Sequence, residues 1–355
     1  MKRNVNIINN YKYDYEKAVK NKDIILKEID FPYLRYSCSV DNIIQYIKKL
    51  IDFKVNVIES RENMYSYILY YVKLDNYKYQ DKYVMIIDNP EEYPELEVIS
   101  DYFNEQCRMK CKFTGAEYSP YDFFTSKYDN IISHLYINNL PITINNMREA
   151  VYNIGPKQCS MFKPKILKYF IEKYNAKKIL DISSGWGDRL IAALSCDVDV
   201  YHGHDPNKCL FDGYNNIIEF FKKHFNRKGE YIIKNIPFEE TKLQDNYYDL
   251  MMTSPPYFDV EIYSDDSTQS AHNVSEMDWV NLYLLKWIDI TKKALRKDGI
   301  MAMNINQFGK YKYVDYMINF LQVDKDWEYL GVVSHAKMKN GKFIKPQPTF
   351  IFKKI

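Results

Sequence analysis

The stretch Thr253-Ser254-Pro255-Pro256-Tyr257-Phe258 places a hydroxyl, two prolines and an aromatic pair in succession. Consecutive prolines lock φ and remove two N–H donors, so the carbonyls before and between them are held outward. A rigid carbonyl beside a hydroxyl, followed by an aromatic face, suits a planar amine. Ser254 Oγ and the Pro255 carbonyl can accept hydrogen bonds from an NH2 group while Tyr257 stacks on its ring. The plain alternative is a proline-stiffened loop leaving a strand.

A second chemical segment precedes it. Lys178-Ile-Leu-Asp181-Ile-Ser183-Ser-Gly185-Trp-Gly187-Asp-Arg-Leu190 reads as an apolar strand running into a glycine turn and then a helix. Glycines let the backbone approach a ligand closely, and the helix that follows offers unpaired N–H groups. Asp205, in Tyr201-His-Gly-His-Asp205-Pro-Asn207, follows the next apolar run. A carboxylate at a strand end there can accept both hydroxyls of a ribose; capping the following helix is its simpler role. Ile236 and Phe238 come after a third run and supply apolar surface where a purine ring can lie.

These segments need strands to hold them. Apolar periodicity predicts strands over 178–182, 198–201, 231–234, 248–253 and 299–305, with helices over 188–195, 209–225 and 279–295 between them. The runs 327–336 and 349–353, joined through Asn340-Gly341, read as a closing hairpin. Such alternation argues a doubly wound α/β sheet, mostly parallel, with ligands at the carboxyl ends of its strands. Residues 1–150 read as a separate α+β domain. Val40, Ile43, Ile44, Ile47, Leu50 and Ile51 recur at helical spacing, β-rich runs cover 55–58, 65–74 and 82–88, and helices are expected near 96–110, 120–125 and 129–138. Residues 151–355 then form the second domain.

Residues 180–187, Asp205 and 254–257 resemble motifs I, II and IV of class I S-adenosylmethionine-dependent amino-methyltransferases. Ser160-Met-Phe162-Lys-Pro164 resembles motif X of the same family. The resemblance covers roughly residues 155–355 and implies a Rossmann-like methyltransferase sheet with a C-terminal antiparallel hairpin. The S-P-P-Y form is similar to that of DNA enzymes acting on cytosine N4 or adenine N6. It implies S-adenosylmethionine as cofactor, with Asp181 facing the methionine amino group and Ser183, Gly185 and Gly187 permitting close approach. Phe162 would help hold the methionine end, Asp205 the ribose, and Ile236 with Phe238 the adenine. Ser254, Pro255, Pro256 and Tyr257 would form the catalytic turn. Phe258, Glu261, Tyr263 and Gln269, in or after that turn, would contact the acceptor. Trp186 between the two glycines departs from the Phe-x-Gly-x-Gly frequent in DNA enzymes.

The motif order and the short chain between Gly187 and Ser254 leave residues 1–150 as the place for substrate recognition. That part holds 20 Lys+Arg against 22 Asp+Glu, and the remainder 29 against 25. A duplex reader normally shows a basic footprint, and the net charge of +2 excludes a strongly basic coat. DNA is favoured as partner. An RNA amino-methyltransferase, a non-catalytic binding protein on the same fold and methylation of a protein glutamine are the alternatives. Arg148, Arg189 and the cluster 292–297 are candidate phosphate contacts or solvated helix faces.

No metal site is expected: Asp265 and Asp266 read as a solvated loop tip, and Cys107 and Cys111 lack a second pair. All six cysteines read as reduced structural thiols. No apolar run reaches membrane-spanning length and the N-terminus has no signal-like apolar stretch, so a cytoplasmic protein with no membrane partner is expected. No oligomeric state follows from these features.

Overall fold

In the computed structural model, residues 5–59, 83–88, 94–264, 274–339 and 342–355 are described. The strands, in chain order, are β1 (Val57–Glu59), β2 (Tyr83–Asp88), β3 (Lys112–Phe113), β4 (Lys178–Asp181), β5 (Val200–His204), β6 (Glu230–Lys234), β7 (Tyr248–Thr253), β8 (Glu261–Ile262), β9 (Leu295–Asn304), β10 (Trp327–Lys339) and β11 (Lys342–Lys354). Nine of them form one sheet in the order β1-β2-β10-β11-β9-β7-β4-β5-β6, and β3 with β8 makes a separate ribbon.

The pairs β4–β5, β5–β6, β4–β7 and β7–β9 are parallel. Strand β11 runs antiparallel between β9 and β10, as the closing hairpin requires. Its turn residues, Asn340 and Gly341, lie outside the described residues, as does the expected strand 65–74. The central strands read as continuous apolar runs because helices cover both faces: β7 is buried at all but one position. At the edge, β6 alternates exposed and buried residues, with Tyr231 and Ile233 inward.

One hydrophobic cluster lies under the helices Pro164–Tyr174, Asp188–Ser195 and Phe211–Phe225. A second lies on the other face under Leu285–Ala294 and Tyr313–Val323. The expected helix 279–295 begins instead at Glu276 and carries a π turn over Val280–Leu284. A third cluster belongs to N-terminal helices, among them Tyr128–Ile137 and Ile144–Ile154.

Residues 1–150 meet the remainder through the sheet, the core and the ribbon, among other contacts. Strand β2 pairs parallel with β10 and so extends the sheet. Ile43, Ile47 and Leu50, on helix Val40–Asp52, belong to the same buried cluster as Leu190 and Phe221. The ribbon pairs Phe113 with Glu261, just beyond the Pro-Pro turn.

Candidate active site

The carboxyl ends of β4, β5 and β7 converge on a cavity of 460 Å³, within the range of small-molecule sites. Of the residues singled out in the sequence, Phe162, Ser183, Gly185, Asp205, Phe238, Glu261, Tyr263 and all of 254–257 line it. Asp181, Gly187, Ile236 and Phe258 do not, and Gln269 lies outside the described residues.

The glycine turn follows from its backbone. Gly187 has φ +96°, and a Cβ there would sit 2.8 Å from Ile217 Cδ1. A side chain is therefore excluded twice, by conformation and by space. Gly185 has φ +57°, and its N–H donates to Asp205 Oδ2 at 2.9 Å. Between them Trp186 is buried; its Nε1 donates to the Ser160 carbonyl at 2.8 Å and its ring meets Tyr263 edge-on at 5.9 Å. The unusual tryptophan thus ties the 159–163 segment onto the glycine turn. Asn104, from helix Asp101–Arg108, braces the same turn by donating to the Trp186 carbonyl at 2.9 Å.

Asp181 does not face the cavity. It is fully buried and accepts from Arg189 Nε at 2.8 Å and from the Tyr201 hydroxyl at 2.6 Å. Its expected role toward an amino group is therefore corrected: a buried cation and a phenol already occupy it. Arg189 is likewise buried and cannot reach a phosphate backbone. Its second nitrogen donates to the Ser183 carbonyl, its guanidinium lies 4.8 Å from the Phe162 ring centre, and Nη1 has no partner among the described residues.

The carboxylate that does line the cavity beside the turn is Asp188, which the sequence reading passed over. Its Oδ1 accepts from Ser100 Oγ at 2.7 Å, whereas Oδ2 has no partner among the described residues. Burial pushes its carboxyl up to about 7. Only its position, next to Gly187 at the first turn of a helix, marked it in the sequence. Asp205 lies at the end of β5 and is pushed up to about 6 by burial, against which the N–H groups of Asn207 and Gly185 act. Asn207, not Asp205, caps the short helical turn that follows, accepting from the Cys209 N–H.

Phe238 is buried and lines the cavity next to Pro237, with Trp287 nearby donating Nε1 to Glu239 at 2.9 Å. On the other side Ser183 Oγ reaches the Ser254 carbonyl at 3.2 Å and Thr253 Oγ1 at 2.8 Å, coupling the glycine turn to the Pro-Pro turn. Ser254 Oγ and the Tyr257 hydroxyl are 3.0 Å apart, and Tyr257 also donates to the Asn304 carbonyl at 3.2 Å. Burial raises the Tyr257 phenol to about 12, which keeps it a neutral donor. Asn304 is fixed in turn by Thr349 Oγ1 at 2.9 Å.

The loop residues depart further from expectation. Glu261 accepts from the Ser160 N–H at 2.9 Å and from the Tyr263 hydroxyl at 2.9 Å, so it anchors the 159–163 segment rather than offering a free edge. Phe258 is buried against Trp279 and Tyr311. Arg148 is also internal, paired with Glu105 at 2.6 Å and Asp101 at 3.0 Å. In the cluster 292–297, Lys292 pairs with Asp324 and Arg296 with Asp249.

The cysteines include a correction. Cys107 and Cys209, 102 residues apart, form a disulfide with a Cα–Cα distance of 5.8 Å. The pair was not visible as spacing because the fold, not the chain, brings it together. Among the described residues no group of three or more His, Cys, Asp or Glu side chains can hold a metal, and no helix is long and apolar enough to cross a membrane.

The mostly parallel order, with antiparallel β11 between β9 and β10, agrees with the doubly wound sheet and closing hairpin expected from the sequence. No family model matches the chain, and no curated protein matches it. Among solved structures it is similar to the tRNA (m1A58) methyltransferase of Aquifex aeolicus, at 12% identity and a TM-score of 0.35, over 56% of this chain and 71% of that one. It is similar too to an S-adenosylmethionine-dependent O-methyltransferase of Thermotoga maritima, at 13% identity and a TM-score of 0.33, over 61% and 73%. At such scores neither likeness carries an argument about activity.

S-adenosylmethionine is the cofactor that the motif resemblance implies, and the residues present fit it. A buried carboxylate ends β5, an orphaned carboxylate oxygen lies beside the glycine turn, and an arginine nitrogen is unpaired among the described residues. These match the hydroxyls, ammonium and carboxylate that such a molecule carries.

Proposed function

We propose that this chain is an S-adenosylmethionine-dependent methyltransferase acting on an exocyclic amino group of a nucleobase, cytosine N4 or adenine N6, with DNA as the favoured polymer. The observation that carries the reading is the Pro-Pro turn at the end of β7, hydrogen-bonded through Ser183 to the glycine turn of β4 around one shared cavity. The bound cofactor supplies an electrophilic methyl on a sulfonium. Asp205 would hold its ribose hydroxyls, Phe238 its purine, Asp188 its ammonium and Arg189 Nη1 its carboxylate.

An exocyclic amine is a poor nucleophile because its lone pair is delocalised into the ring. Hydrogen bonds from its two protons to Ser254 Oγ and the Pro255 carbonyl favour a pyramidal nitrogen. The Tyr257 hydroxyl gives its one proton to the Asn304 carbonyl and can accept the Ser254 hydroxyl proton, which turns the Ser254 lone pairs toward the amine. The chemistry the cofactor would supply is transfer of its methyl to this nitrogen, with the S–C electron pair staying on sulfur and the surplus amino proton passing to water. In-line positioning of this kind supplies up to ~7–11 kcal/mol in well-oriented systems. A base in a duplex must first be flipped out, at a cost of a few kcal/mol.

RNA is the second reading, favoured by the near-neutral charge of residues 1–150, which lack a duplex reader's basic footprint. The test is incubation with labelled S-adenosylmethionine and separate DNA and RNA pools, then nucleoside mass spectrometry. N4-methylcytosine or N6-methyladenine from DNA is the expected result. Label in RNA alone moves the assignment to the second reading. No transfer to either, with cofactor bound, rejects a nucleic-acid substrate and leaves a protein acceptor or a non-catalytic binder.

A further inference from the structure

Among the residues lining the cavity are Phe113 in β3 and Lys157 after helix Ile144–Ile154. Phe113 pairs with Glu261, and the adjacent Val260 N–H donates to the Tyr257 carbonyl at 3.2 Å. The aromatic ring thus stands one strand away from the acceptor turn. Lys157 Nζ lies 4.0 Å from the centre of that ring.

The same pairing recurs twice nearby in the chain. Lys110 Nζ lies 5.5 Å from the Tyr121 ring and Lys127 Nζ 5.5 Å from the Tyr118 ring. The Tyr121 N–H donates to the Met109 carbonyl at 2.9 Å, which keeps Lys110 beside the start of helix Pro120–Ser126. None of the three lysines forms an ion pair among the described residues, in contrast to Arg108 and Arg148, whose charges are spent internally on Asp101 and Glu105. Of the acidic residues between Lys110 and Lys127, Asp122 is engaged by Ser119 Oγ at 2.7 Å, and Glu117 is exposed. Cations resting on aromatic faces keep their charge for an outside anion; Phe113 and Tyr118 offer ring surface to bases, whereas Tyr121 is stacked on Phe31 and serves to place Lys110.

We propose that these lysine-on-aromatic pairs, Lys157/Phe113 at the cavity with Lys110/Tyr121 and Lys127/Tyr118 from the same stretch of chain, bind the single-stranded nucleic acid flanking the base presented to Ser254 and Tyr257. The inference rests on the nucleobase reading above. Phosphates meet the lysines and unstacked bases meet Phe113 and Tyr118. A short strand needs only local positive charge, so the near-neutral net charge of residues 1–150 is no obstacle.

Fluorescence polarisation tests it, with labelled single-stranded DNA and RNA of about 12 nucleotides and the matching duplexes, in saturating S-adenosylhomocysteine. The expected result is that Lys110→Ala/Lys127→Ala binds single strands about tenfold more weakly, with the log–log salt slope smaller by about 1.4, roughly 0.7 for each phosphate no longer neutralised. Phe113→Ala, which removes no charge, is expected to weaken binding about tenfold at an unchanged slope. The DNA and RNA arms tell the two polymers apart. Wild-type affinity and slope in both variants would overturn the surface, as would tighter binding of duplex than of single strands. If the wild type methylates oligonucleotides while the variants match it, only the surface fails. If the wild type binds S-adenosylhomocysteine but no oligonucleotide, the nucleobase reading fails with it.

Discussion

The two sides of the cavity are held together by different forces. On the glycine-turn side, charged groups are buried: Asp181 on Arg189, Asp205 on two backbone N–H groups, Asp188 on Ser100. On the acceptor side the contacts are neutral, linking Ser183, Ser254, Tyr257 and Asn304 through hydroxyls and an amide around a proline-stiffened turn. A buried charge that loses its partner is left uncompensated, whereas a missing hydroxyl leaves a modest gap. Damage on the first side should therefore appear in folding and cofactor binding, and damage on the second in turnover.

The largest effect is expected from Arg189→Leu. It strands Asp181 in the core and should destabilise the protein by about 3–5 kcal/mol, read as a shift in urea midpoint; a change near zero would break the contrast at its strongest point. Asp205→Ala comes next. Removing two charge-assisted hydrogen bonds to a ribose should weaken S-adenosylhomocysteine binding about a hundredfold, ~3 kcal/mol, measurable by calorimetry. Ser254→Ala should act the other way round, lowering kcat about tenfold to a hundredfold with cofactor affinity held within about twofold. A matching fall in cofactor affinity would erase the division between the two sides.

The smallest effect concerns pH. The folded Asp188 carboxyl sits above its ordinary value of 3.8, at about 7. Its contribution to folding is complete below pH 3.8 and disappears as pH rises through about 7, because the ionised form is disfavoured by burial. Asp188→Asn should therefore raise the melting temperature of the cofactor-free protein by a few degrees at pH 8 and hardly at pH 3.5. It should also weaken cofactor binding if the carboxylate meets the ammonium. An equal shift in melting temperature at both pH values would show that burial does not hold the group protonated.

The sequence was informative where backbone chemistry is local. Two prolines after a strand, glycines at φ +57° and +96°, and apolar runs bounded by polar turns are written in neighbouring residues. It misled where a side chain's partner lies far along the chain. Sequence alone makes Asp181 a ligand, but its partners are Arg189 and Tyr201; it makes Glu261 a free edge, but Glu261 holds Ser160. Arg148 looked like a surface cation and is an internal counter-ion. Trp186 looked out of place until Ser160 and Tyr263 were seen around it.

By itself the amino-acid order determined the alternation of strands and helices, the closing hairpin and the placing of the chemical turns at strand ends. Those follow from φ restrictions, side-chain period and burial, all short-range or statistical along the chain. Only the tertiary structure decided which carboxylate lines the cavity, that Asp188 Oδ2 has no partner among the described residues, that Cys107 meets Cys209, and that Phe113 and Lys157 line the same cavity. Such pairings depend on packing between segments distant in sequence, where the cost of an unpartnered buried polar group selects among neighbours that no local pattern names.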